Sequence, residues 1–382
     1  MILGRDAYAS LFFSRYMEEY MISGQIIKNS IEELSAISKV DLAVWDSEGK
    51  EIAATFETGD ISPTLISGFV ESPADSQVIG QHHLLKVLDE EAVLFVLDAK
   101  GSSEDTYMIG RIAVSQLQHL IIAYKERYDR NNFFQNLLLD NMLLVDIYNR
   151  AKKLHIEAAV PRAVFLIETD KEKDGTAMEF LNGMFSAQIG DYITAVDESN
   201  VILIKALAAE DTYERLEQIA DTIVDMMNTE AMLNVRVAYG TIVEELKEVS
   251  KSYKEAKMAL DVGKIFYAEK KVSAYNTLGI GRLIYQLPIN LCRIFIDEIF
   301  GSNVPAELDE ETLTTINKFF ENNLNVSETS RQLFVHRNTL VYRIEKLQKS
   351  TGLDIRVFDD ALTFKIALMV VNYMRYLDSL DY

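Results

Sequence analysis

Apolar residues recur at Ile22, Ile26, Ile27, Ile31, Leu34 and Ile37. Steps of three and four predict a helix within residues 6–38, where no proline occurs and Gly24 is the only glycine. The period then shortens. Asp41 to Trp45 and Glu51 to Thr55 flank Asp46-Ser47-Glu48-Gly49-Lys50, a hairpin signal. Further strands are predicted at Leu84 to Leu88, Ala92 to Leu97 and Tyr107 to Val114. A helix, an antiparallel sheet and a long helix outline a small sensor domain over residues 1–125.

From Ser115 to Ala159 the chain has neither Gly nor Pro. Leu117, Ile121, Tyr124, Tyr128, Leu138, Met142 and Val145 stay in helical phase, while Asn131 and Gln135 interrupt the stripe with polar groups. Two readings are open. The stripe is the seam of a dimeric coiled coil with a register-setting polar break, or it faces the core of its own domain. A straight helix of this length would reach roughly 60 Å; a break near Arg130-Asn131-Asn132 is the expected interruption. Residues 126–160 are read as the connecting helix.

Residues 161–280 change character again. Ala163 to Glu168 is a strand and Met178 to Ile189 a helix. Strands Asp191 to Val196 and Asn200 to Lys205 close a hairpin around Asp197-Glu198-Ser199. Helix Thr212 to Met227, strand Asn234 to Gly240 and helix Leu246 to Leu260 complete an α+β domain. Beyond Gly281 the pattern is helical. Candidate helices are Leu283 to Ile299, Glu310 to Asn322, Val326 to Phe334, Arg337 to Ser350 and Asp359 to Tyr376. Residues 281–304 read as a helical linker, with Ser302, Asn303 and Pro305 before a last domain at 305–382. The fold class is α+β and multidomain.

Composition narrows the function. The 382 residues carry a formal charge of −21, which disfavours non-specific binding of nucleic acid or an acidic membrane by the whole surface. A single cysteine, Cys292, excludes an internal disulfide framework and suits a reducing cytoplasm; its apolar neighbours predict a small buried hydrophobe. No window reaches membrane-spanning length, and the N-terminus lacks the basic start and cleavage site of a signal peptide.

Against that acidic background one stretch is basic. Between Leu324 and Lys349 five Lys or Arg face two Glu, a balance of +3, which leaves −24 on the rest of the chain. Asn325 can start a short helix, with Ser327 and Glu328 at its positive end. Val326, Ser330 and Leu333 share one face. Leu340, Ile344 and Leu347 share a face of the next helix, and the two faces are expected to pack together. The other side presents His336, Arg337, Asn338, Val341, Tyr342 and Glu345. An Arg337 fork can grip guanine O6 and N7 or two phosphate oxygens. Asn338 can read adenine or simply start the helix. Thr339 can meet a phosphate or cap its own turn. Arg343, Lys346 and Lys349 lie on the flank where phosphates run. This is the construction of a helix-turn-helix that enters a DNA groove; a hairpin of helices with solvated charges shares the same outline.

The string Val335-His336-Arg337-Asn338-Thr339-Leu340-x-Tyr342-Arg343-Ile344, with Asn325 to Thr329, Leu333 and Thr351-Gly352-Leu353-Asp354, resembles the C-terminal helix-turn-helix of the PucR/CdaR family of bacterial transcription regulators. The likeness runs from about Leu308 to Met374. The head is also similar to that of the nucleoid protein Fis, which implies DNA contacts from His336, Arg337, Thr339 and Arg343. Two departures are Ser330 in place of the usual alanine and the bulky Phe334 at a position that is often small or polar. Upstream, Tyr239-Gly240-Thr241, Leu246 and Ser252 to Leu260 look like the end of the family's GGDEF-like domain. The first 125 residues resemble its sugar-diacid-recognition domain more weakly. The resemblance implies a regulator that couples a small effector, such as a sugar acid or related carboxylate, to DNA binding as a homodimer or higher oligomer.

Other chemistry is sparse. A nucleotide cyclase needs a glycine pair and carboxylates between two strands; Val196 to Asn200 supplies Asp197 and Glu198 without the glycines. The domain therefore reads as non-catalytic, the alternative being a cyclase or phosphodiesterase with a helical tail. An interaction scaffold that binds no DNA is a third reading, given the acidic body. His82-His83 lacks spaced partners for a metal, and Gly279-Ile280-Gly281 lacks the third glycine of a dinucleotide loop. No cofactor is expected. Lys86 and Arg111 are the candidates for holding an acidic effector, each also readable as a surface charge. Trp45, the only tryptophan, is expected in the core.

Overall fold

The computed structural model describes residues 22–103, 105–169, 174–185, 190–197, 200–301 and 310–380. The expectations for residues 6–21, 186–189, Glu198, Ser199, Ser302, Asn303, Pro305 and Leu308 fall outside them. The chain divides into two compact units, the first ending at Phe134 and the second beginning at Gln135.

The first unit is built on a five-stranded antiparallel sheet. Its strands are β1 (Asp41–Asp46), β2 (Glu51–Ala54), β3 (Ser76–Ile79), β4 (His82–Asp89) and β5 (Ala92–Lys100), in the order β2-β1-β5-β4-β3. The β1–β2 turn is held by Asp46, whose Oδ1 accepts the N–H groups of Glu48 and Lys50 at 2.9 and 2.8 Å. Helices α1 (Gly24–Ser38) and α3 (Asp105–Leu138) cover one face over Ile27, Ile31, Leu42, Leu85, Leu97, Leu117 and Ile121. Helix α2 (Pro63–Glu71) covers the other through Ile66 and Phe69, against Ala43, Trp45, Leu84 and Val96.

Three expectations need correction here. Tyr107 to Val114 is helical, within the first three turns of α3 rather than a strand. Gly110 lets the helix lie close on the sheet: a Cβ there would sit 2.8 Å from Leu85 Cδ1 and 3.2 Å from Ala99 Cβ. The long helix does not run on to Ala159. It ends at Leu138 and, after a break, α4 spans Leu144–Lys153. Asp140 takes a left-handed φ of 62°, and the Asn141 N–H reaches back to Asn136 O at 2.9 Å, so the helix is capped beyond the anticipated Arg130 to Asn132. Finally, Leu117 and Ile121 are spent on their own sheet, the second reading of the stripe, and Val145 is exposed.

The second unit carries a sheet of β6 (Arg162–Glu168), β7 (Tyr192–Asp197), β8 (Asn200–Ala206), β9 (Arg236–Tyr239) and β10 (Val272–Ala274), ordered β10-β9-β6-β8-β7. All pairs are antiparallel except β9–β10. Helices α5 (Asp174–Phe185) and α6 (Tyr213–Thr229) pack on one face, and α7 (Val249–Phe266) lies across β6 and β9. Tyr239-Gly240-Thr241 and Ser252 to Glu255 interlock. Glu255 Oε2 accepts the N–H and the hydroxyl of Thr241, while Ser252 Oγ donates to Thr241 O at 2.8 Å and accepts from Val164 N at 3.1 Å.

The remaining helices are α8 (Ile280–Tyr285), α9 (Ile289–Phe300), α10 (Glu310–Glu321), α11 (Val326–Gln332), α12 (Arg337–Thr351) and α13 (Phe358–Leu380). The single helix expected over Leu283 to Ile299 is two, because Pro288 cannot continue α8 and instead precedes α9. The residues read as a linker join the terminal core: Ile284, Cys292, Ile296 and Phe300 pack with Phe319, Leu340, Ile344, Leu347 and Phe364. Burial pushes the Cys292 thiol up, as suits an inert core thiol. Tyr285 bridges this core to α7, donating to Asp261 Oδ2 at 2.7 Å.

Candidate nucleic-acid interface

Two short helices and a tight turn form the site. The Asn325 side chain starts α11, its Oδ1 accepting from the N–H groups of Ser327 and Glu328 at 3.0 and 3.1 Å. Glu328 then pairs with Arg331 at 2.7 Å along the helix surface, which lowers the carboxyl's proton affinity. The turn is made by Phe334, at φ 56° and 96% exposed, with Val335 N–H returning to Ser330 O at 3.0 Å. A left-handed residue there normally favours Gly or Asn. Phe334 keeps its ring in solvent, so its bulk does not obstruct the turn.

His336 starts α12. Its Nδ1 accepts the N–H of Asn338 at 3.2 Å, and its carbonyl takes the first helical bonds from Thr339 and Leu340. The start of the helix therefore belongs to His336; Asn338 is its second residue and is exposed. Arg337, Thr339, Tyr342 and Lys346 are exposed too, and no side-chain partner of Arg337 occurs among the described residues. On the opposite side Leu340, Ile344 and Leu347 are buried, as the spacing predicts. Ser330 is buried against this pair, and its hydroxyl donates to Ser327 O at 3.0 Å, which is how a small polar residue is accepted where alanine is usual.

Arg343 differs from its neighbours. Its guanidinium donates to Thr315 Oγ1 at 3.1 Å and pairs with Glu311, both on α10, and is only partly exposed. It fixes α12 against α10. Beyond Gly352, which ends α12 at φ 78°, Arg356 grips Asp354 Oδ1 and Oδ2 at 2.8 Å each and holds that carboxyl below its usual range. Sequence reasoning missed the Arg343 tether, because nothing local marks Glu311, 32 residues upstream, as its partner.

The two effector candidates do not converge. Lys86 lies on the α2 face of the first sheet, donating to Ser72 O and standing 5.2 Å from the Phe69 ring. Arg111 is exposed on α3, the helix that covers the opposite face. His82 and His83 likewise point apart, His82 to a buried carboxylate.

Comparison with known proteins agrees with this anatomy. Residues 312–370 match the PucR C-terminal helix-turn-helix domain and residues 141–262 a GGDEF-like domain. The chain is 27% identical to the carbohydrate diacid regulator of Escherichia coli over 67% of its own length and 68% of that protein's. It is 21% identical to the purine catabolism regulatory protein of Bacillus subtilis over 94% of this chain and 73% of that one. The solved regulator of polyketide synthase expression from Bifidobacterium adolescentis superposes weakly, with a TM-score of 0.32 and 16% identity over 65% of this chain and 98% of that one. The chain is thus a homologue of the carbohydrate diacid and purine catabolism regulators, with a PucR-type C-terminal helix-turn-helix over residues 312–370 and a GGDEF-like domain over residues 141–262.

Proposed function

We propose that this chain is a DNA-binding transcription regulator. Helix α12 enters the major groove, with Arg337, Asn338 and Tyr342 toward base edges and His336, Thr339 and Lys346 toward phosphates. Arg343 sits behind them as the anchor that sets the angle of the helix. The observation that carries this reading is the exposed Arg337 fork, without a side-chain partner among the described residues, at the start of a helix whose other side is buried. Among the described residues no helix is long and apolar enough to cross a membrane, and the working compartment is read as the cytoplasm.

The N-terminal unit is read as the sensor for a small effector, the family's carboxylates being the first class to test. The middle domain is read as a packing partner without catalysis, supported by the absence of a glycine pair between Asp197 and Asn200. Two copies would present two heads to inverted half-sites about one duplex turn apart. Genome-wide footprinting of the full chain tests the proposal. Discrete sites with inverted half-site symmetry are expected. A salt-sensitive, sequence-blind footprint, or turnover of GTP by the purified chain with magnesium, would overturn it.

A further inference from the structure

The α2 face of the N-terminal sheet holds two buried polar atoms that meet no hydrogen-bond partner among the described residues. Asp98 lies on β5, the central strand, and is fully buried. Its Oδ2 is paired with His82 Nδ1 at 2.8 Å. Its Oδ1 is sealed from solvent and meets no hydrogen-bond donor among the described residues. The indole Nε1 of Trp45, on β1, is in the same condition. Register brings the two together: Asp98 stands opposite Ala43 and Trp45 opposite Val96, so they are diagonal neighbours across the β1–β5 pair. Ala43 and Trp45 share the face under α2, and Leu84 stands opposite Asp98 from the other flank. Diagonal neighbours in such a pair stand roughly 7–8 Å apart, within reach of an aromatic side chain.

Buried polar groups are almost always matched, and an unmatched carboxylate oxygen beside an unmatched N–H is an expensive pair to keep for structure alone. One end of the cluster is near solvent. His82 Nε2 lies 4.0 Å from Asp60 Oδ2, and that oxygen bridges to Lys100 Nζ at 2.7 Å. Lys100 in turn stands 5.0 Å from the Phe56 ring. Phe56 and Asp60 belong to the segment between β2 and α2, and Asp60 is largely exposed, so its bridge is the breakable edge of the cluster.

We propose that Asp98, Trp45 and His82 form a ligand subsite for a small molecule presenting a hydroxyl or primary amine. The ligand's O–H or N–H donates to Asp98 Oδ1, and an acceptor on the same molecule takes the Trp45 N–H. Entry is by release of the Asp60 bridge. The assignment deepens the sensor reading above but rests only on the geometry of the first unit.

Trp45 is the only tryptophan, so its emission reports the site directly. The full chain is titrated with 2-aminoethanol and with glycerol at constant pH and ionic strength. A saturable change in Trp45 emission with at least one probe is expected, with the midpoint raised at least tenfold in Asp98→Asn, a loss of about 1.4 kcal/mol. Trp45→Phe, which keeps the ring and deletes the N–H, is followed by calorimetry and is expected to bind severalfold more weakly. A linear response to both probes, or saturation unaltered by both substitutions, overturns the proposal. Footprinting separates the two claims: saturable, Asp98-dependent binding in a protein without discrete DNA sites would leave the subsite standing and remove the regulator.

Discussion

The imidazole of His336 caps the helix it precedes, its Nδ1 accepting the N–H of Asn338 at 3.2 Å. An accepting Nδ1 puts the ring proton on Nε2, which then faces solvent as a donor for phosphate. His336→Ala should cost about 1 kcal/mol of stability, as lost N-caps do, and should weaken operator binding. His336→Asn separates the two roles. It restores a capping oxygen but not the outward donor, so denaturation should return to the parent's while operator affinity stays reduced. Full recovery of affinity in His336→Asn would leave the cap as its only role.

Arg337 and Arg343 are six positions apart on one helix and should fail differently. Arg337→Ala removes an exposed fork: stability should stay within about 0.5 kcal/mol of the parent, while operator binding weakens by about 1–3 kcal/mol. Arg343→Ala breaks the tether to Glu311 and Thr315. It should lower stability by about 1 kcal/mol, and Glu311→Gln should reproduce part of that loss without touching DNA. Melting curves and operator titrations on the same preparations decide between these outcomes.

Gly240 explains the Tyr239-Gly240-Thr241 motif in packing terms. A Cβ added there would lie 2.0 Å from Ser252 O and 2.7 Å from Ser252 C, which are backbone atoms of α7 that cannot swing aside. Gly240→Ala should therefore cost on the order of 3 kcal/mol and weaken the seat of α7 on β6 and β9. Ser252→Ala, which removes a hydroxyl shared by Val164 N and Thr241 O, should cost less, about 1–2 kcal/mol. A Gly240→Ala protein as stable as its parent would mean that α7 lies farther from the strand.

The reading head was legible because its information is local. Apolar residues at 340, 344 and 347, a polar helix start and a run of exposed cations are all written within one short stretch. The order of strands and helices between Arg162 and Phe266 was legible too, since each element has its own period. What failed was settled by distant partners. Tyr107 to Val114 reads as a strand until Leu85 and Ala99 appear beneath Gly110 of the helix it forms. The stripe through Leu117 and Ile121 looks like a seam until the sheet of the first unit claims it. Helix α2 is short and opens on Pro63, so nothing periodic announced it. Asp98 sits in a continuous apolar run, Val93 to Ala99, and only the register of β4 shows that His82 meets it.

The buried carboxylate makes a pH prediction with a definite sign. Burial raises the Asp98 proton affinity above its ordinary value of 3.8, while the hydrogen bond from His82 and the charges of His82, Lys100 and His83 act against burial. Between the unfolded and folded values the folded unit thus holds a proton that the unfolded chain has already released. Stability from this group is full below the unfolded value and is lost as pH rises through the folded one. Asp98→Asn stays neutral throughout, so its stability should gain on the parent's from about pH 4 upward. Trp45 emission during thermal unfolding follows the first unit alone, which avoids averaging over the whole chain. Parallel curves for parent and variant would mean that Asp98 ionises at the same pH folded and unfolded, and that His82 and Lys100 fully offset the cost of burying it.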